Sequence, residues 1–247
     1  MSRSNPTDNS PNPAVLRFEW DGANGNIRFF DRETKKNVAV PDGFTFILLD
    51  ELATIQGWHE ASESSIYANE VRDTRNEAFV VKAFKGPKLA EGFYSFIKDK
   101  VVASGGHFTA NCYIGFRDDK KALAIGSLRF KGAALGAWME FRKNNRKAIY
   151  EQAIKIQGFD KGKKGKVEFR TPKFHLLPVS EDTNRQAIAL DVELQEYLKG
   201  YFVRTKSAAA VPNDADTQAD AEAGTQQHEP DPYDAQPDAP PDETEPF

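Results

Sequence analysis

From Ser207 to Phe247 the chain carries 11 Asp and Glu and not one Lys or Arg. A block of like charge with few large apolar side chains repels itself and cannot bury enough surface to offset the entropy of ordering. These 41 residues are therefore expected to be a disordered acidic interaction tail. Whatever folds must lie before them. The formal charge of the whole chain is −4, yet residues 1–206 alone carry +7. The chain is thus a basic body with an anionic strap. A Ser/Asn/Pro-rich leader over 1–13 is also expected to be disordered, which leaves 14–206 as one domain of generous size.

Within the body, Leu16, Phe18 and Trp20 alternate with Val15, Arg17 and Glu19, the period of a half-buried strand. Asp21-Gly22-Ala23-Asn24-Gly25 supplies turn residues, and Pro41-Asp42-Gly43 supplies them again. Further strands are expected near 26–32, 36–40, 44–49, 52–58, 64–71, 77–84, 107–117, 121–130, 151–157 and 166–177. Helices are expected over 88–103, where Leu89, Phe93, Phe96, Ile97 and Val101 recur at helical spacing, and over 132–149, with Leu135, Trp138 and Met139 inward. A third follows Pro178, capped by Ser180 or Thr183, with an apolar stripe of Ala187, Leu190, Leu194, Tyr197, Leu198 and Tyr201. Many short strands that do not alternate regularly with helices argue against a doubly wound parallel sheet. The fold class expected is β-rich α+β, an OB-type barrel with inserted helices and a C-terminal helix over 14–206.

Positive charge is concentrated in the middle. Residues 79–174 hold 21 Lys and Arg against 8 Asp and Glu, whereas 1–78 sum to −5 and 175–206 to −1. Basic excess among aromatic rings suits a nucleic acid, because cations neutralise phosphates and rings stack on bases. Alternation suggests which side chains would meet it. Arg28, Phe30 and Arg32 share a face; Trp58 goes with Thr54 and Gln56; Tyr67 goes with Ser65 and Asn69; Lys82 adds a cation in the strand 77–84. In 107–117, Phe108, Cys112, Ile114 and Phe116 read as core, leaving Tyr113 and Arg117 on the open face with His107 and Asn111. The run Lys161-Gly162-Lys163-Lys164-Gly165-Lys166 reads as a mobile basic loop or hairpin tip, with the wrong spacing for a nucleotide-binding P-loop. Arg142, Lys143, Arg146 and Lys147 form a second basic run on one helix, facing either an anionic partner or Glu140 and Glu151.

Catalytic chemistry is not evident. His59, His107, His175 and His228 are scattered, and no nucleophile elbow or dinucleotide fingerprint occurs. The single cysteine, Cys112, offers neither an internal disulfide nor a thiolate zinc site. Asp50-Glu51 and Asp118-Asp119 are paired acids that could hold Mg²⁺ in a nuclease, though Asp118-Asp119 has the look of a hairpin turn. No enzyme activity, cofactor or metal is expected. No window of 18 apolar residues occurs and the leader lacks an apolar core, so neither a membrane span nor a secretory signal is expected; with a single cysteine, a reducing, cytoplasmic setting is the economical expectation.

The segment Asp242-Glu243-Thr244-Glu245-Pro246-Phe247 is similar to the acidic tip of bacterial single-strand-binding proteins, which ends Asp-rich and then Pro-Phe. With its long body, inserted helices and polar leader, the chain resembles the bacteriophage-encoded single-stranded-DNA-binding proteins. That resemblance implies an OB fold that binds single strands with little sequence preference during replication, recombination or repair in a bacterial host cell. It also implies a tail that recruits partner proteins through Asp242, Glu243, Glu245, Pro246 and Phe247, Phe247 entering an apolar pocket. A flexible tail of this length has a reach of roughly 35 Å, enough to compete with DNA for the basic body.

Overall fold

The computed structural model describes residues 11–118 and 121–208; the first ten leader residues and the tail from 209 lie outside it. Among the described residues, eleven strands join one branched sheet: β1 Leu16–Asp21, β2 Asn26–Asp31, β3 Lys36–Ala39, β4 Thr45–His59, β5 Ser64–Ala68, β6 Phe79–Ala83, β7 Lys88–Gly92, β8 Gly106–Arg117, β9 Leu123–Lys131, β10 Ala153–Lys164 and β11 Val167–Leu177. The helices are α1 Tyr94–Ala103, α2 Gly132–Asn144, the short α3 Ala148–Glu151 and α4 Glu181–Ala208. The result is a strand-rich mixed fold with a long C-terminal helix.

The long strand β4 organises the sheet. It pairs with β8 along most of its length, with β10 at Thr45–Ile47 and with β5 at Gly57–His59. The main path runs β3-β2-β1-β9-β8-β4-β5-β6-β7, all antiparallel except the β1–β9 pair. The β10–β11 hairpin leaves β4 on the branch and reaches back to the β1–β2 turn. There Arg170 N–H donates to Gly22 O at 2.9 Å, and the indole of Trp20 donates to Arg170 O at 2.8 Å. Gly25 lies under this contact with φ 73°, and a methyl there would collide with the Arg170 side chain and the Phe159 ring. Glycine is needed at this position both for the backbone and for the room.

Two large cores lie on one side of the sheet, and smaller clusters beneath α4 lie on the other. The larger gathers Phe18, Trp20 and Ile27 from β1–β2, Phe46 and Leu48 from β4, Cys112, Ile114 and Phe116 from β8, Leu128 and Phe130 from β9, and Leu135 and Trp138 from α2. The smaller lies under β5–β7 and α1 around Ile55, Phe79, Val81, Ile97 and Val101. Burying these side chains, at about 25 cal/mol per Å² of apolar surface, supplies most of the free energy that holds both halves together.

The structure corrects several expected elements. The strands expected at 44–49 and 52–58 are one strand, Thr45–His59, with an irregularity in its pairing between Leu48 and Asp50. Residues 88–103 are not one helix: Gly92, at φ 140°, ends a strand and Phe93 is extended, so the helix begins at Tyr94. The helix expected over 132–149 stops at Asn144, where Asn145 leaves helical geometry, and a single turn follows. The basic run 161–166 is no loop: Lys161–Lys164 continue β10, with the turn at Gly165-Lys166. Ser180 is the helix cap, its Oγ accepting from Thr183 N–H at 3.2 Å.

Candidate nucleic-acid interface

The strand register assembles one face of the sheet, on the side away from α1 and α2 and partly covered by α4. Arg28 lies opposite Glu19, Glu19 opposite Arg129, Arg129 opposite Asn111, and Asn111 opposite Leu52, a single row across β2, β1, β9, β8 and β4 whose last two members are buried. Because side chains alternate along each strand, Arg17, Phe30, Lys131, Gln56 and Trp58 share that face. It continues across Trp58–Ser65 and Tyr67–Lys82 into β5 and β6. Alternation in the sequence selects Arg28, Phe30, Trp58, Tyr67 and Lys82, and the structure sets these five on one surface. It adds Arg17, Arg129 and Lys131, which the sequence reading misses although each alternates with a core residue: Phe18, Leu128 and Phe130. All eight side chains are half-buried, neither lost to the core nor fully in water.

Local chemistry holds the cations in place. Arg28 donates to Glu19 at 2.7 Å and to Asp21 at 3.3 Å. With the Gln56 amide turned so that its oxygen faces Arg129, that oxygen accepts from Nη1 at 2.8 Å and from Nε at 3.2 Å, spreading the guanidinium along the sheet. Cations beside half-exposed rings, with the guanidinium groups of Arg28 and Arg129 already held by neighbours, can meet phosphates and bases together at a reduced ordering cost.

The basic hairpin adjoins the same sheet at the β1–β2 turn. Lys161, Lys163, Lys164 and Lys166 are exposed at its far end. Below them Arg170 stacks on Phe159, its guanidinium carbon 5.4 Å from the ring centroid. Phe169 covers Gly162 across the ladder, where a side chain would overlap the ring. Arg32 is exposed in the turn after β2.

Two expectations for the open face are corrected. Tyr113 is fully buried, because the buried side of α4 (Leu194, Tyr197 and Leu198) packs over it together with Leu52 and Ile125. His107 and Asn111 are buried as well. The Tyr113 hydroxyl donates to Glu70 Oε2 at 2.9 Å, and Asn111 donates to the same carboxylate. Burial first, then the negative charge of Glu70, pushes the Tyr113 phenol well above its ordinary value. Unfolded chains lose this proton near pH 10 whereas the folded protein holds it, so stability from this group is present below that pH and falls as pH rises above it. Tyr113→Phe is expected to flatten the loss of urea stability between about pH 9 and 11; an unchanged slope would assign the alkaline loss to other groups. Arg117 is exposed but lies at the opposite end of β8 from Gly106. It donates to Lys121 O at 2.9 Å and to Thr183 Oγ1 at 3.0 Å, tying the β8–β9 turn to the start of α4.

The paired acids part company. Asp50 meets Arg72 Nη2 at 2.6 Å and Gln195 at 3.0 Å under α4, whereas Glu51 faces the core and accepts from Trp138 Nε1 at 3.0 Å and Arg142 Nη1 at 2.6 Å. Arg142, the first of the second basic run, therefore pairs with Glu51 rather than with Glu140 or Glu151. Asp118 accepts from Ala122 N–H at 2.8 Å within its turn, and Asp119 lies outside the described residues. No group of three potential ligands suited to a metal ion, and no helix long and apolar enough to cross a membrane, occurs among the described residues. Asp242, Glu243, Glu245, Pro246 and Phe247 lie outside them too. Searches against protein-family models, curated proteins and solved structures found nothing that matches this chain.

Proposed function

We propose that this protein binds single-stranded DNA without strong sequence preference along the outward sheet face, with the β10–β11 hairpin extending the basic track. The observation that carries this reading is the gathering of five cations (Arg17, Arg28, Lys82, Arg129, Lys131) and three rings (Phe30, Trp58, Tyr67) on one surface. Rings offer a π-face to any base and cations follow the backbone, so the pairing favours unstacked strands over duplex. The fold is read as an elaborated OB-type barrel. Its support is a long strand that changes partners, one parallel pair in an otherwise antiparallel sheet, and a hairpin that returns to the β1–β2 turn. The role is non-catalytic: protecting single strands in replication, recombination or repair in a bacterial host, with the acidic tail competing with DNA and recruiting partner proteins.

Fluorescence anisotropy with labelled oligo-dT, matched duplex and oligo-U tests the reading. One phosphate contact per cation on the face gives a slope of log affinity against log salt of about −3.5 for the single strand. Duplex binding is expected to be much weaker. A chain ending at Ala208 is expected to bind more tightly than the full chain at low salt, the difference vanishing at high salt as charge is screened. Equal affinity for duplex and single strand would overturn the proposal, and a preference for oligo-U would move it to RNA.

A further inference from the structure

We infer that the solvent side of α4 pairs antiparallel with α4 of a second copy of this chain about a two-fold axis. The helix has 28 residues and extends about 42 Å. One side packs on the sheet through Ala187, Leu194, Tyr197 and Leu198. The other carries Ile188, Val192 and Val203, which are 57%, 65% and 66% exposed. With Glu196 and Lys199 these residues follow one another at spacings of three and four, so they form a single stripe along the helix.

Charge selects the occupant. From Glu181 to Leu194 the helix holds four acids against Arg185, whereas Gln195 to Thr205 holds Lys199 and Arg204 against Glu196. An acidic half followed by a basic half is complementary to itself only when reversed. An axis passing between Tyr197 and Leu198 sets Val192 against Val203 of the second copy and Glu196 against its Lys199, each contact occurring twice. Ile188, one turn before Val192, flanks the same valine. A parallel arrangement would instead set Glu196 against Glu196 and Lys199 against Lys199. Glu196 and Lys199 lie 3.7 Å apart within the helix and are highly exposed, so they can exchange partners without leaving a buried charge. The stripe is narrow, which puts the contact in the weak, concentration-dependent class. This inference rests on α4 alone and is independent of the nucleic-acid reading.

Sedimentation equilibrium of the full chain without DNA, over a concentration series, tests it. The wild type is expected to shift from monomer towards dimer. Glu196→Lys and Lys199→Glu are each expected to raise the dissociation constant about tenfold, since two attractive pairs become repulsive. An equimolar mixture of the two variants is expected to recover association. One variant then carries lysine at both positions and the other glutamate at both, so every pair across the axis is again attractive. Recovery in the mixture also shows that both variants are folded. A wild type that stays monomeric, single variants that associate like wild type, or a mixture that fails to recover would overturn the pairing.

Discussion

Replacing Phe30, Trp58 and Tyr67 together by leucine is expected to lower the affinity for oligo-dT by at least about a hundredfold, since each base–ring stack is worth about 1–3 kcal/mol. Leucine keeps much of the half-buried apolar area, so the loss reports the aromatic face rather than the fold. The salt slope should stay near its wild-type value, because the cations on the face remain. Replacing Arg129 and Lys131 by alanine should do the reverse, lowering affinity while reducing the slope by about 1.4. Anisotropy at three salt concentrations separates the two outcomes. If the leucine variant bound as tightly as wild type, the rings would be packing groups only and the interface would have to lie elsewhere.

The second large effect lies on the opposite side of the sheet. Trp138→Ala is expected to cost about 3–5 kcal/mol of stability, read from urea unfolding. Trp138 has no solvent exposure, stacks on Phe130 at 5.3 Å and meets the Phe174 ring edge-on at 5.4 Å. Its removal opens a cavity in the larger core and takes one hydrogen bond from Glu51, leaving Arg142 to hold that carboxylate from α2. Trp138→Phe keeps a ring and should cost less, mostly the hydrogen bond to a charged group, about 1.5–3 kcal/mol. Where the variant remains folded, its DNA affinity should match wild type, because α2 and the outward face lie on opposite sides of the sheet. A loss of affinity equal to that of the ring variant would break this separation.

How much of the fold and the interface is legible in the sequence depends on the range of the interaction. Strand alternation is local, and it is enough to turn Phe18, Trp20, Cys112, Ile114 and Phe116 inward and Arg28, Phe30, Trp58, Tyr67 and Lys82 outward. What joins those five is the pairing of strands far apart in the chain, above all β1 with β9, about a hundred residues away, and no local pattern announces it. Arg17, Arg129 and Lys131 alternate as clearly as Arg28 does. Arg17 is legible as the open side of a half-buried strand, but nothing local places Arg129 and Lys131 beside it, because that neighbourhood is made by the long-range β1–β9 pairing. Tyr113 shows the converse: its alternation is real, but α4, some eighty residues later, covers that end of the face. The apolar stripe of α4 is visible in the sequence, and its landing site is not. At 88–103 the spacing Leu89–Phe93–Ile97 imitates a helix across a boundary that Gly92 and its positive φ impose. The basic run at 161–166 is legible as charge and as a hairpin tip, but not as strand. Glycines at 158, 162 and 165 hide the pattern that Phe159, Phe169 and Arg170 complete across the ladder.

The most direct test of the central claim is ultraviolet crosslinking of single-stranded oligo-dT to the full chain, with the adducts mapped by peptide mass spectrometry. Crosslinks on the peptides carrying Phe30, Trp58 and Tyr67 are the result expected for a strand lying on the outward sheet face. Crosslinks concentrated instead on Phe93, Phe96 or Tyr150, the exposed rings of α1 and α3 and their edge, would contradict it.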